Sequence, residues 1–210
     1  MVQSNYKKFL DVISHIDKSK KPKLLLHVCC APCSTACLEL LNQYFDITVF
    51  YYNPNISPFE EYQKRLAEEQ KFVFNCYPNI KVVEIGYDGK KFEKLAVGLE
   101  DVPEGGARCK RCYRLRLSKT ADYAKQNGFD YFTTTLTVSP YKNSDALNEI
   151  GEEVAKHLGI KYLTSDFKKN DGYKRSIELS KDFGLYRQDY CGCKYSKEAR
   201  QNRIQLKKEI

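Results

Sequence analysis

The stretch "KLLLHVCCAPCSTACLELLNQ", residues 23–43, changes character twice within a few positions. Residues 23–28 form a short apolar run, which reads as a buried strand. Cys29, Cys30 and Cys33 crowd the turn that follows. Beyond Pro32 the apolar residues return at helical spacing. A strand running through a turn into a helix opens a parallel crossover unit. The alternation continues downstream. "DITVFYYN" (46–53) is a second strand, followed by a helix from about Phe59 to Asn75, and "IKVVEIGY" (80–87) is a third. A short helix in "KFEKLAVGLE" precedes a long one in "CKRCYRLRLSKTADYAKQNG", stopped by Gly128. "FDYFTTTLTV" (129–138) and "IKYLTSDF" (160–167) complete five strands, with a glycine-ended helix between them. Residues 4–20 are helical, and so is the end of the chain apart from "QDYCGC". The pattern predicts one α/β domain over 1–210, a parallel sheet with flanking helices and helical additions at both ends.

A chain of 210 residues with 42% hydrophobic and 30% charged residues can bury a core of its own. No apolar run is long enough to span a bilayer. The first residues lack the apolar centre of a signal peptide, so the expected setting is cytoplasmic, with no membrane partner. A net charge of +8 permits a polyanionic partner such as RNA.

Seven of the nine cysteines fall in three windows: Cys29, Cys30 and Cys33; Cys109 and Cys112; Cys191 and Cys193. Cys37 and Cys76 stand apart and suit core positions. The first window lies just beyond a strand's carboxyl end, where open α/β sheets bind ligands. The second begins a helix, where free N–H groups favour thiolate. Structural zinc usually takes paired Cys-x-x-Cys knuckles. Only Cys109 and Cys112 form one, and zinc would leave three thiols unused. Soft thiolates equally select iron–sulfur clusters. Seven thiols exceed one cluster, which leaves room for a second metal or for redox-active thiols. Air damage to such a centre is expected to leave a disulfide bond.

The segments "LLLHVCCAPCS", "FYYNPNISPFEEYQKR", "PEGGARCKRCYRLRL", "FDYFTTTLTVSPYKN", "SDFKKNDGYKRSIELS" and "LYRQDYCGCKYS" run in order over nearly the whole chain. Through them the sequence closely resembles the QueH-type epoxyqueuosine reductases, a family of tRNA-modifying metalloenzymes. The resemblance implies a HUP-like (adenine nucleotide alpha hydrolase-like) fold, a [4Fe-4S] cluster and a nearby iron ion held by cysteine and carboxylate. It implies that the epoxide of epoxyqueuosine, at the wobble position of tRNA, is reduced to the alkene of queuosine without cobalamin. The seven clustered cysteines carry over as metal ligands, with their division between cluster and ion left open. A ferredoxin or flavodoxin type of protein would suit one-electron delivery.

Asp189, two positions before Cys191, is the first candidate for an oxygen ligand or proton carrier, and Asp88 is the second. Tyr190 and His27 are candidate proton donors, although a histidine inside the first strand also suits the core. The wobble base lies in a single-stranded loop and can be splayed out to a protein. Asn53 and Asn55 offer amide hydrogen bonds to it. Tyr51, Tyr52 and Tyr141 offer stacking surfaces, the first two also reading as core. Lys142, Arg108, Arg111, Arg114 and Arg116 are candidates for phosphate contact, as is the basic tail "KYSKEARQNRIQLKK". Two rivals remain. One is an ATP-dependent tRNA-modifying enzyme on the same fold, disfavoured by the absence of glycine from "HVCCAPCS". The other is a zinc-stabilised tRNA-binding module.

Overall fold

The computed structural model describes residues 3–206. Five parallel strands form one sheet: β1 (Lys23–His27), β2 (Asp46–Tyr51), β3 (Lys81–Glu84), β4 (Tyr131–Thr134) and β5 (Lys161–Tyr162). Their spatial order is β3-β2-β1-β4-β5. The chain winds outward from β1 to β3, then returns to the other side of β1 to lay down β4. Leu24 pairs with Ile47 on one side and with Tyr131 on the other. The direction of winding therefore reverses between β1 and β4, and a crevice opens at their carboxyl ends.

β1 is apolar without alternation because both its faces are covered; Leu24, Leu25 and Leu26 are all fully buried. Leu24 and Leu26 face a core built with α2 (Ala31–Leu41) and α3 (Phe59–Cys76), including Leu38, Leu41 and Phe72. Helices α1 (Asn5–Ser14) and α7 (Gly172–Asp182) lie toward this side, α1 through Phe9 and α7 against α2. Leu25 faces the opposite core with Phe50 and Phe132, closed by α5 (Ala107–Gln126) and α6 (Ser144–Leu158) through Leu117 and Leu147. The short α4 (Gly89–Ala96) packs on α5, and α8 (Lys194–Leu206) buries only Ser196. Among the described residues, no helix is long and apolar enough to cross a membrane.

Several elements are shorter than their sequence pattern predicts; β2 ends at Tyr51 and β3 spans only Lys81–Glu84. α1 stops at Ser14 rather than near residue 20. β4 gives way at Thr135 to a 3-10 turn, Thr135–Val138, because Thr134 Oγ1 accepts from the Leu136 N–H at 3.2 Å. Thr137 Oγ1 likewise turns inward to Ser165 Oγ at 3.0 Å. Threonine hydroxyls here offer the backbone an alternative to the ladder. β5 ends at Tyr162, although the Leu163 N–H still donates to Phe132 O. Ser165 is then held by Asn148 on α6 instead of by a strand.

His27 is a core residue. Its Nδ1 lies 2.9 Å from Thr134 Oγ1 and its Nε2 3.2 Å from Tyr52 O. Burial, and then the charge of Arg116, pull its pKa down to about 4, so near neutrality it is the neutral imidazole and not the imidazolium that a proton donor would need to be. Cys37 is fully buried, and Cys76 packs at the edge of the same core.

Candidate metal centre

Beyond β1 the Val28 N–H still bonds to Phe50 O, and the next residue turns out of the sheet. Cys30 is the N-cap of α2, extended at φ −174°, and its carbonyl accepts from the Cys33 and Ser34 N–H groups. That turn brings the sulfurs of Cys29, Cys30 and Cys33 within 4.8 Å of one another. Among the described residues they form the one group of three or more Cys, His, Asp or Glu ligand atoms gathered so tightly. Cys29 Sγ and Cys30 Sγ are 3.7 Å apart. Hydrogen bonds from Cys30 and Cys33 hold the Cys29 thiol well below its usual range. Cys30 and Cys33 are pushed well up by the same exchange and by burial. Thiols set this close cannot all ionise side by side, so the donor set needs a cation to become fully thiolate.

The other four sulfurs come from two elements. Cys109 and Cys112 occupy the first turns of α5; Cys112 packs with Cys193, Phe92 and Tyr195 in a small apolar cluster. The helix start does not make these two thiols acidic. Burial outweighs it, raising Cys109 and carrying Cys112 to about 12. Cys193 is raised by burial and then by Cys191, which also acts on Cys109 and Cys112. The packing of Cys112 on Cys193 brings the second and third windows together. The loop bearing Cys191 and Cys193 is pinned by Ser57 N–H to Gly192 O at 2.9 Å and by Arg65 Nη1 to Cys191 O at 3.2 Å.

A cavity of about 520 Å³ opens beside Cys29, Cys30, Cys33 and Cys191. Lys142 enters it from the loop after β4, with Nζ 3.4 Å from Cys191 Sγ. Arg116 on α5 lines it as well. Lys142 thus lies in one cavity with the first window and in contact with Cys191 of the third. All nine cysteines are free thiols, so the expected disulfide bond has no counterpart. The 3.7 Å between Cys29 and Cys30 is well beyond the about 2.05 Å of a bonded pair.

The remaining candidates divide. Asp189 and Tyr190 line the cavity. Asp189 is paired with Arg200 at 2.8 Å, and the Tyr190 ring lies under Arg65 at 5.2 Å. Asp88 sits away from the cavity, capping α4 through the Lys91 N–H. Tyr141 is 79% exposed at the cavity rim. Asn53 is fully buried and donates to Val28 O at 2.8 Å, so its amide ties the ends of β1 and β2 together. Asn55 is buried with Oδ1 unpartnered. Arg108 is spent on Leu99 O and Glu100 O, at 2.6 and 2.7 Å, and stacks on Tyr195. Arg116 is buried, whereas Arg111 and Arg114 are exposed and Arg114 is paired with Glu153. Tyr51 and Tyr52 are packed in the interior, as their core reading has it.

The family model for the epoxyqueuosine reductase QueH matches residues 24–199, which include all seven clustered cysteines. This chain belongs to the epoxyqueuosine reductase QueH family. A relative of that name from Streptococcus pyogenes serotype M1 is 44% identical over 98% of this chain and 83% of its own length. One from Staphylococcus epidermidis is 46% identical over 91% and 84%. One from Thermotoga maritima is 37% identical over 82% and 89%. Among solved structures, the U34-tRNA thiolase NcsA from Methanococcus maripaludis with its [4Fe-4S] cluster superimposes with a TM-score of 0.52. It covers 90% of this chain and 67% of that one, at 16% identity. That likeness is one of fold, and it confirms the HUP-like architecture.

Sequence spacing missed Arg65, Glu69 and the true setting of Arg116. Arg116 follows Cys109 and Cys112 at i+7 and i+4, a helical stripe that would have placed it on the cysteine face.

Proposed function

We propose that this protein is an oxidoreductase that reduces the epoxide of epoxyqueuosine in tRNA to queuosine, without cobalamin, as a single metalloenzyme domain over 1–210. The observation that carries this reading is the close-set sulfur trio opening on a cavity at the β1/β4 crevice, in a chain of this family. The donor set fits the metals. Around one tetrahedral ion with bonds of about 2.3 Å, neighbouring sulfurs stand about 3.8 Å apart. The 3.7 Å between Cys29 and Cys30 supports Cys29, Cys30 and Cys33 as the holders of a single iron ion. Cys109, Cys112, Cys191 and Cys193 then supply four thiolates for a [4Fe-4S] cluster. Bound there, the two groups would supply single electrons and Lewis acidity.

The reaction breaks both C–O bonds of the epoxide, takes up two electrons and two protons, and releases the oxygen as water. Tyr190 and Asp189 line the cavity with the sulfurs and are the candidates for moving those protons. Asp189 is also the carboxylate on offer to the ion, at the cost of its pairing with Arg200. The base enters past Tyr141, whose exposed ring offers it a stacking surface. Arg187, Arg200 and Arg203 line the same cavity and face the flanking phosphates. A ferredoxin- or flavodoxin-type protein delivers the electrons one at a time.

Anaerobic reconstitution with iron and sulfide, followed by incubation with a reductant and tRNA bearing epoxyqueuosine, tests the reading. Mass spectrometry of the released nucleoside is expected to show loss of one oxygen. A colourless zinc protein that leaves the nucleoside unchanged overturns it.

A further inference from the structure

Arg116 and Arg65 are both 1% exposed, yet they are buried on different terms. Arg65 is neutralised by Glu61, with Nε to Oε1 at 2.7 Å. Among the described residues, Arg116 has no carboxylate partner. Its Nη1 reaches Asn53 Oδ1 at 3.5 Å, while Nε and Nη2 have no partner at all. An isolated buried cation is costly, and so it implies a compensating anion close by. The groups set around it are sulfurs. Arg116 lines the cavity together with Cys29, Cys30, Cys33 and Cys191, and on α5 it lies one turn beyond Cys112. Lys142 enters the same cavity with Nζ 3.4 Å from Cys191 Sγ.

A nucleic-acid phosphate is a poor candidate for that anion. Arg116 is closed off from solvent, and the cavity beside it, about 520 Å³, must also admit the modified base. These sulfurs belong to both cysteine sets, so Arg116 stands beside each of them.

We propose that Arg116, seconded by Lys142, is the fixed counter-charge of the metal centre and sets its reduction potential. This inference rests on the iron–sulfur reading given above. Each thiolate brings a negative charge, and reduction adds one more. Fixed cations stabilise the more anionic, reduced state more than the oxidised one, because their attraction grows with the charge they face. Arg116 thereby makes electron uptake easier from a weak donor. It touches no reacting atom and is a positioning residue.

The test compares anaerobically reconstituted wild type, Arg116→Gln, Arg116→Lys and Lys142→Gln. Iron and sulfide are counted per chain, and each midpoint is taken from a potentiometric titration followed by absorbance and EPR. Arg116→Gln is expected to lower the reduced-to-oxidised ratio at a fixed poise roughly tenfold, a shift of about 59 mV for a one-electron couple. Lys142→Gln should move it the same way, and Arg116→Lys should restore the wild-type midpoint. A loaded Arg116→Gln with an unmoved or raised midpoint overturns the inference while leaving the proposed function standing. If Arg116→Gln takes up no iron, Lys142→Gln decides, since its side chain lies in a loop between elements; an unmoved midpoint there overturns the proposal equally. A wild type that takes up no iron removes the proposed function and this inference together.

Discussion

Glu69 is a carboxylic acid enclosed by protein on α3, fully buried beside the cysteine turn. Its Oε2 accepts from Ser34 Oγ at 2.9 Å, and its Oε1 has no partner. Burial pushes its pKa from 4.5 up to about 8, against the Ser34 hydrogen bond and with help from the charge of Cys29. The folded pKa therefore lies above the unfolded one. The favourable contribution is complete below pH 4.5 and is lost as pH rises through about 8, because the unfolded chain ionises freely while the folded one does not. Within that window the loss is about 1.4 kcal/mol per pH unit. Glu69→Gln is expected to match wild type near pH 5 and to be the more stable protein near pH 8. Denaturant titrations of the anaerobic protein at both values check it; an undiminished slope in the variant would refute the assignment. Nothing in "FEEYQKRLAEEQKF" announces this residue. A glutamate among other charges on an amphipathic helix reads as solvent-facing, and only the neighbouring α2 turns that side inward.

At the scale of elements, the loop carrying Cys191 and Cys193 depends on a glycine. Gly192 has φ +121°, a region side chains rarely adopt, and an added Cβ would lie 3.0 Å from Arg65 Nη1 and 3.1 Å from Ile56 Cγ1. Gly192→Ala is expected to cost about 1–3 kcal/mol and to lower the iron bound per chain, both measurable on the reconstituted protein. Retention of full iron and stability would show that the loop is not set by this close approach. α8 makes the complementary case. It buries little, carries Lys194, Lys197, Arg200 and Arg203, and brings the last two to the cavity. A helix so polar is explained by what it faces. Replacing Arg200 and Arg203 together with alanine should weaken tRNA binding and flatten its salt dependence, by about 0.7 in log–log slope for each single-strand phosphate left without its cation. Binding isotherms at several salt concentrations decide, and an unchanged slope removes α8 from the RNA face. Residues 207 and 208 of the basic tail lie outside the described residues. The three cysteine windows were legible because core packing scatters cysteines along a chain, whereas ligation of a metal gathers them into short runs. The roles of Asn53, Arg108 and Arg116 were not, because polar residues near a crevice look alike until burial shows which are spent on backbone carbonyls and which are left buried without a partner.

For the molecule as a whole, alternating apolar runs and glycine-ended helices were enough to fix the order of elements, since each parallel strand must be followed by a crossover. What they could not show was where a strand surrenders to its own side chains, as Thr134 and Thr137 make β4 do. The same architecture carries a further consequence at the mouth of β1. On an open parallel sheet, the first turn after β1 is where a glycine-rich loop would let backbone N–H groups approach a nucleotide's phosphates. In this chain that turn is Cys30, Ala31 and Pro32. All three are buried, Pro32 has no N–H to offer, and the Cys33 and Ser34 N–H groups are already bonded to Cys30 O. The three sulfurs at that turn also present soft metal donors where a phosphate would need N–H groups. The turn thus offers sulfur donors that suit a metal and lacks the free N–H groups that a nucleoside triphosphate needs. ATP is expected to be neither hydrolysed nor required: turnover of the modified tRNA with a chemical reductant should proceed at the same rate with and without it, and no pyrophosphate should appear. Release of pyrophosphate in step with product would mean that the cysteine turn serves an adenylating enzyme, and the reductive reading of the cavity would have to be abandoned.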